Sequence, residues 1–144
     1  MLSESERKEI SELLAKVPLF SSLDKRGLEI VTDSAVKRVY KASETIIERG
    51  ERATNFFMIL GGSVQVRRGN SVLATLTRGD FFGEMALLDK SERVATVIAK
   101  EDAACILITS EALEKILDSD PKIMRKLASE LIHRLRESDK ALTR

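Results

Sequence analysis

Short apolar runs separated by glycine turns occupy the middle of this chain, from Val36 to about Thr109. The runs are rich in β-branched and aromatic residues, which favour strands over helices. The turns that break them contain Gly50, Gly61-Gly62, Arg68-Gly69-Asn70 and Arg78-Gly79-Asp80. This alternation predicts an all-β roll or jelly-roll barrel of about eight strands. The clearest strands are expected over residues 55–60, 63–68, 72–76, 93–99 and 103–108.

Helical patterns lie before and after the strands, so the expected fold class is mainly β with flanking α-helices. Ser3 and Glu6 form a capping box, after which apolar residues recur at helical spacing until Pro18 ends the helix. A second short helix is expected from Ser22 to about Ser34. The chain of 144 residues has the length of one domain, over 1–144. Within it we expect N-terminal helices over 1–35, the β-roll over 36–109 and C-terminal helices over 110–144.

The C-terminal segment has two helix-start signals, at Ser110 and at Asp120-Pro121. Within the last helix, apolar and small residues recur at alternating spacings of four and three residues, as in a coiled-coil seam. The seam consists of Met124, Ala128, Leu131, Leu135, Ser138 and Leu142. Such a seam is typical of a helix that packs against a partner helix, and it predicts a homodimer through the C-terminal helix. The alternative is that the seam folds back on the roll.

Charge and composition argue against several functional classes. The 24 Lys plus Arg and 23 Asp plus Glu give a net charge of +1, which provides no electrostatic case for direct binding of nucleic acid or membrane. The one histidine, His133, is too little for a multi-histidine metal site, and we find no convincing nucleophile–base pair. The single cysteine, Cys105, fits a reducing compartment, and the N-terminus has no signal-peptide layout. We therefore expect a cytoplasmic protein that is not an enzyme and has no metal and no cofactor.

The segment Phe82-Gly83-Glu84-Met85-Ala86-Leu87-Leu88, followed by Arg93, is the most informative part of the sequence for function. Gly83 lets backbone approach a ligand, and a helical turn from Met85 would present unpaired N–H groups to an anion. Arg93 adds a charged donor fork, whereas Glu84 would repel an anion and is expected to accept from a hydroxyl. These residues therefore favour a receptor for a phosphate joined to a sugar. The alternative is a tight turn whose Glu84 and Arg93 lie on the surface and pair with each other.

The stretch Phe82 to Val97 resembles the phosphate-binding cassette of the cyclic nucleotide-binding domain family. The usual form in that family is Phe-Gly-Glu-aliphatic-Ala-Leu, a short loop, and Pro-Arg-Ala-Ala-Thr-Val, and the spacing here is similar to that of the protein kinase A form. Gly50-Glu51, Phe57-Met58-Ile59 and Gly62 to Val66 resemble the glycine-punctuated β-roll signature of the family. Val17 to Phe20 is similar to the segment that leads into the roll. The resemblance thus covers nearly the whole chain.

The resemblance implies a role for each matching residue. Arg93 would pair with the exocyclic phosphate, and Glu84 would accept a hydrogen bond from the ribose 2′-hydroxyl. Other ligand-binding positions near the phosphate and sugar would be Gly83, Met85, Ala86, Val94 and Ala95. Apolar walls near the base would be Val64, Leu73 and Leu76, which are equally compatible with plain core packing.

Three further positions bear on the ligand. Glu92 stands where the kinase form has proline, but bacterial catabolite activators also have Glu-Arg here, so binding is not excluded. Val94 lacks the hydroxyl that cGMP-selective members use, which favours cAMP and leaves cGMP open. The segment 133–140 resembles the dimerisation helix of the bacterial activators, in which a hydroxyl residue at the position of Ser138 contacts the purine. The alternative for Ser138 is a tolerated small residue near a helix end.

The function that the resemblance implies is sensing of a cyclic mononucleotide, with cAMP or possibly cGMP as the ligand, coupled to movement of the C-terminal helix. One alternative is a nucleotide-insensitive dimerisation or interaction module with the same fold. Another is the sensory part of a transcription regulator. The sequence up to Arg144 contains no helix-turn-helix after the last helix, so DNA binding by this chain alone is not expected.

Overall fold

The computed structural model describes residues 2–50, 55–83 and 95–142, with some side chains of the last helix left undescribed. These residues form four helices and eight strands. In chain order they are α1 (Glu4–Leu14), α2 (Lys25–Asp33), β1 (Val36–Tyr40), β2 (Thr45–Ile47), β3 (Phe56–Gly61), β4 (Val64–Arg68), β5 (Ser71–Leu76), β6 (Phe81–Phe82), β7 (Thr96–Ala99), β8 (Ala103–Ile108), α3 (Ser110–Ser119) and α4 (Pro121–Leu142). The mainly β fold with helices before and after the strands is confirmed.

The strands form two antiparallel four-stranded sheets. Sheet I has the order β1-β8-β3-β6, and sheet II has the order β2-β7-β4-β5. Among the strands that the structure describes, only β4 and β5 are consecutive strands that pair as a hairpin, while every other pair joins strands that are distant in the chain. The chain therefore crosses repeatedly between the sheets, which is the connectivity of a roll.

The two inner strands of sheet I, β3 and β8, are buried on both of their faces. In β3, Phe56 and Met58 pack with the helices in what we call the helix core. Phe57 and Ile59 of the same strand point to the other side, into the inter-sheet core that sheet I shares with sheet II. A strand buried on both faces has no polar positions to alternate with apolar ones. This explains why β3 begins with four buried apolar residues in succession.

Sheet II, in contrast, buries one face only. Val64 of β4 and Val97 of β7 lie in the inter-sheet core. Strand β5, at the edge of sheet II, is exposed along most of its length, and Val72 is about half exposed. Sheet II therefore covers the core from outside, whereas sheet I lies between two cores.

The predicted capping box of α1 is confirmed. The N–H of Glu6 donates to the Ser3 hydroxyl, and the N–H of Ser3 donates to the Glu6 carboxylate, both at 3.1 Å. The helix ends at Leu14, before Pro18. The chain then turns through residues 15–18 with short-range hydrogen bonds, such as the one that the N–H of Val17 donates to the carbonyl of Leu14.

Helix α2 begins later than its predicted start at Ser22. Asp24 is its N-cap, since the Asp24 carboxylate accepts the N–H of Gly27 at 2.8 Å. This cap satisfies a donor that the first helical turn would otherwise leave unpaired. Ser22 instead donates its hydroxyl to the carbonyl of Lys126 in α4.

The two C-terminal helices meet at the predicted break. Thr109 caps α3 by accepting the N–H of Ala112 at 3.0 Å, and Asp120 accepts the N–H of Lys122 at 3.0 Å at the start of α4. Pro121 opens α4, where its missing N–H costs nothing.

In the part of the chain that the structure describes, no helix combines the length and the apolar character needed to cross a membrane.

Candidate functional site

Strand β6 leads directly into the predicted cassette, and its two residues contact different cores. Phe81 stacks on Phe56 in the helix core, with ring centroids 6.0 Å apart. Phe82 stacks on Phe57 in the inter-sheet core, with centroids 4.9 Å apart and ring planes within 4° of parallel. Stacked rings fix orientation in addition to burying area. The strand before the cassette is therefore held from both sides of sheet I.

Gly83, the residue after β6, has a left-handed backbone with φ +83. A side chain at this φ would be strained, so glycine is required for the chain to turn here. At the half-buried Gly83 no side chain covers the backbone, so the backbone at the start of the cassette is accessible to a ligand.

The segment 83–95 joins the two sheets. It leaves β6 at the edge of sheet I and reaches β7 in the interior of sheet II, with Ala95 half-buried just before that strand. Five predicted site residues lie within 84–94, outside the described residues, and their roles stay predictions. They are Glu84, Met85, Ala86, Arg93 and Val94.

The three apolar residues expected near the base lie in different surroundings. Val64 and Leu76 are register partners on β4 and β5. Val64 is completely buried in the inter-sheet core, and Leu76 packs against that core while partly exposed. Leu73 is at the point where the β4–β5 register shifts, and 54% of its surface is exposed. The structure thus brings Val64 and Leu76 into the same core as Phe82 and leaves Leu73 on the surface.

A turn before β6 fixes the direction in which the chain approaches the cassette. The Asp80 carboxylate accepts the N–H of Thr77 at 2.9 Å. The Arg78 guanidinium donates to the carbonyl of Leu60 at 3.0 Å and pairs with Glu9 of α1. These contacts connect α1, β3 and the turn. Sequence reasoning indicated only a turn here, because Glu9 and Arg78 are far apart in the chain.

A side chain of β7 holds the loop that follows β2. The Thr96 hydroxyl accepts the backbone N–H of Arg49 at 3.0 Å. The β2–β7 ladder ends at Ile47, so a side chain continues the connection beyond the last paired residue. Gly50 comes next, with φ +90. Sequence reasoning missed this role of Thr96, because the hydrogen bond joins residues that come together only in the folded chain.

Two titratable groups associated with the inter-sheet core have raised pKa values. Burial raises the pKa of the Cys105 thiol to about 11, and burial likewise raises the pKa of Tyr40. Cys105 is therefore a protonated thiol at neutral pH and a poor nucleophile. Among residues 2–50, 55–83 and 95–142, no cluster of three or more His, Cys, Asp or Glu side chains could hold a metal ion.

Helix α4 has a buried side and an exposed side. Ile123 and Leu127 lie in the helix core. Met124 and Ala128, the first two residues of the predicted seam, are exposed, so they remain open to a partner. Ser138 belongs to α4, but its side chain is outside what the structure describes, and its predicted contact with a base stays a prediction.

The two sheets and the helices packed over sheet I define the described part of the chain as a β-roll domain. The model of the family described as "Cyclic nucleotide-binding domain" matches residues 37–120, which is more than half of the chain. The chain belongs to this family, as its cassette motif predicted.

Similar proteins include components of two kinase systems. The chain is 36% identical over 140 residues to a cAMP-dependent protein kinase regulatory subunit from Mycosarcoma maydis, covering 90% of this chain and 27% of that protein. It is 31% identical over 116 residues to a cGMP-dependent protein kinase from Toxoplasma gondii, covering 81% of this chain and 12% of that protein. The chain thus spans less than a third of the length of either relative.

A solved structure shares the fold over nearly its full length. The N-terminal domain of a transcriptional regulator from Streptomyces coelicolor A3(2) superposes with a TM-score of 0.85, covering 90% of this chain and 94% of that chain. The two sequences are 22% identical. At this identity the likeness shows the fold alone.

Proposed function

We propose that this chain is a regulatory domain that binds a cyclic mononucleotide, with cAMP as the preferred ligand, and performs no catalysis on it. The observation that carries the proposal is the placement of the two ends of the cassette: Gly83 follows β6 with a left-handed backbone, and Phe82 and Val97 both lie in or against the inter-sheet core. Membership of the family supports the same ligand class. The similarity to one cAMP-dependent and one cGMP-dependent kinase system supports a purine cyclic nucleotide.

In this proposal, charge and hydrogen bonding at the cassette hold the phosphate and the sugar. Arg93 pairs with the exocyclic phosphate through charge-assisted hydrogen bonds, each worth about 1.5–3 kcal/mol. Glu84 accepts the ribose 2′-hydroxyl. Backbone groups of the cassette complete the phosphate and sugar contacts: Gly83, Met85, Ala86, Val94 and Ala95. The base lies toward Val64, Leu73, Leu76 and Ser138.

The absence of catalysis follows from the chemistry proposed for the site. In this proposal Arg93 and Glu84 each hold a ligand group, and no residue is assigned the role of a general base that activates water. Cys105 lies in the inter-sheet core, but burial raises the pKa of its thiol to about 11 and keeps it protonated. The domain therefore acts by binding, and its output is a change in shape.

We propose that binding is coupled to α4 through β6. Phe81 stacks on Phe56, and Phe56 meets Phe20 edge-to-face with ring centroids 5.6 Å apart. All three rings belong to the helix core, which also contains Ile123 and Leu127 of α4. The ligand changes the position of α4 only if it binds one arrangement of this core more tightly than another. A difference of about 1.4 kcal/mol in binding free energy changes the ratio of the two populations tenfold.

The test is titration calorimetry of the wild-type chain with cAMP and with cGMP. We expect both to be measurable and cAMP to bind more tightly, because Val94 offers no hydroxyl to the guanine. Arg93→Ala should weaken cAMP binding by about tenfold or more, since it removes charge-assisted hydrogen bonds. Circular dichroism should remain that of the folded wild type.

A matched control is Arg68→Ala, which removes an exposed arginine at the end of β4. It should leave the affinity for cAMP unchanged. An Arg93→Ala variant that binds cAMP as tightly as the wild type would contradict the assignment of the cassette. A wild-type chain that binds neither nucleotide would contradict the proposed function itself.

A second candidate function is a nucleotide-insensitive dimerisation module, favoured by the exposed Met124 and Ala128 at the start of the α4 seam. Thermal denaturation separates the two candidates. A nucleotide receptor gains stability when cAMP or cGMP is added, because the ligand binds the native state only. The interaction module gains none.

A further inference from the structure

The hydrogen bond between Thr96 and Arg49 connects two segments that no strand pairing connects. Ile47 pairs with Val97 in the ladder of β2 and β7, and the ladder ends there. The Thr96 hydroxyl then accepts the Arg49 N–H at 3.0 Å, one residue before the chain turns at Gly50 with φ +90. The loop 48–50 is thus attached to Thr96, the first residue of β7 and the second-last residue of the cassette.

Thr96 points away from the inter-sheet core. Successive side chains of a strand face opposite sides, and Val97 is buried in that core. The register partner of Thr96 on β4 is Arg67, whose guanidinium donates twice to the Gln65 side chain, at 2.6 and 3.1 Å. Val64 and Val66, which alternate with Gln65 and Arg67, belong to or pack against the inter-sheet core. The Thr96 hydroxyl therefore lies on the outer face of sheet II and is not placed to touch a ligand inside the roll.

We infer that Thr96 is a positioning residue for the cyclic nucleotide site, and this inference rests on the proposed function. Its hydroxyl holds the loop 48–50 against the start of β7, so that this loop and the strand at the end of the cassette keep a fixed relative position. A segment that is ordered before the ligand arrives loses less conformational freedom on binding. The bond thereby raises affinity for the nucleotide without contacting it.

The test replaces the hydroxyl and leaves the shape of the side chain. Thr96→Val removes the acceptor, whereas Thr96→Ser retains it. Thr75→Val is the matched control, because Thr75 is an exposed threonine on β5, the edge strand of the same sheet. Each chain is titrated with cAMP by calorimetry, and amide exchange at Arg49 is followed by NMR with and without cAMP.

We expect Thr96→Val to weaken cAMP binding by about threefold to tenfold, the range for loss of one hydrogen bond. Exchange at the Arg49 amide should be faster in the valine variant, and cAMP should slow it less than in the wild type. Thr96→Ser and Thr75→Val should both stay within twofold of the wild-type affinity. A small loss of global stability does not mimic this result, because affinity is unchanged while nearly all molecules are folded.

Two results would overturn the inference: a valine variant with wild-type affinity, or a serine variant as weak as the valine variant. The second result would mean that the methyl group and not the hydroxyl matters. If the wild type binds no cyclic nucleotide, the proposed function fails, and the inferred role in ligand binding fails with it. In that case, faster exchange of the Arg49 amide in unliganded Thr96→Val than in the wild type would still show that the hydrogen bond is present. The failure would then lie with the proposed function and not with the hydrogen bond.

Discussion

Replacing Gly62 by alanine is expected to destabilise the roll more than the same change at the other turn glycines. Gly62 lies between β3 and β4 with φ +76. An ideal Cβ there would be 2.2 Å from the carbonyl oxygen of Asp102 and 2.8 Å from the Cα of Ala103. Both atoms are backbone atoms, one in the β7–β8 turn and one in the first residue of β8, so no side-chain rotation relieves the overlap.

Two costs contribute to the expected loss of unfolding free energy in Gly62→Ala. A left-handed backbone costs an alanine about 1–2 kcal/mol. To make room, the β7–β8 turn must also move, and this turn donates to the carbonyl of Ser63 from Lys100 at 3.0 Å and from Glu101 at 3.5 Å. Weakening two such bonds costs about 0.5–1.5 kcal/mol each. After the gain of about 0.4–1 kcal/mol from a less flexible unfolded chain, we expect a net loss of about 2–4 kcal/mol.

Two other glycines provide matched comparisons. Gly69, in the β4–β5 turn, has φ +60 but no atom within 4 Å of its ideal Cβ, so Gly69→Ala should cost only the backbone strain, about 1 kcal/mol. Gly61 does not have a positive φ, and no atom lies within 4 Å of its ideal Cβ. Gly61→Ala should therefore change the free energy of unfolding very little.

Urea unfolding followed by circular dichroism measures all three variants under one condition, and the free energy of unfolding is taken from each curve. The expected order of loss is Gly62→Ala, then Gly69→Ala, then Gly61→Ala. If Gly62→Ala costs no more than Gly69→Ala, then contact with the β7–β8 turn is not what makes glycine necessary at position 62.

The pKa of Glu6 is lowered to about 2, first by its hydrogen bond with Lys37 and then by the Ser3 cap. Because the folded pKa lies below the unfolded value, this carboxylate adds stability above pH 4.5 and loses it as the pH falls toward 2. The difference in unfolding free energy between the wild type and Glu6→Gln should therefore shrink over that range; a pH-independent difference would refute the reasoning. The homodimer predicted from the α4 seam should be weakened by Met124→Glu, which places a charge on an exposed seam position. Sedimentation velocity tests this, and a wild type that is monomeric at high concentration would remove the dimer.

Local signals were sufficient to predict the longer strands and the helix caps. Strand β8 has the predicted bounds, and β3 and β4 begin one residue after theirs, because apolar runs between glycine turns mark these strands. The capping box at Ser3 and the break at Asp120-Pro121 depend on neighbouring residues only. Each of these features is encoded within a few residues of sequence, which is why the pattern was sufficient.

Strands β1 and β6 could not be singled out, because long-range pairing creates them. Strand β6 has two residues and exists through its pairing with Phe57 and Met58 of β3. Strand β1 carries Lys37 and Arg38 and is largely exposed, so its sequence has no clear apolar run, but it pairs with β8. The assignment of strands to two sheets follows from these pairings and not from local preference.

In the candidate site, too, some features could be predicted from local sequence and others depend on contacts that form only in the folded chain. The sequence singled out Gly83 as a point where backbone could approach a ligand. Its left-handed φ of +83 is a finding of the structure. The contacts of Arg78 with Glu9 and of Thr96 with Arg49 could not be predicted, since each joins residues that come together only in the folded chain. The surface position of Leu73 was equally hidden, because it depends on a register shift between β4 and β5.

The double coverage of sheet I also constrains how this sequence can change over time. A polar substitution in the buried part of β3 or β8 leaves an unpaired polar group in one core or the other, whichever way the side chain points. In β5, most positions already meet solvent and accept such changes at little cost. Neutral drift in a chain with this architecture should therefore accumulate in the outer sheet, while the middle sheet keeps its composition.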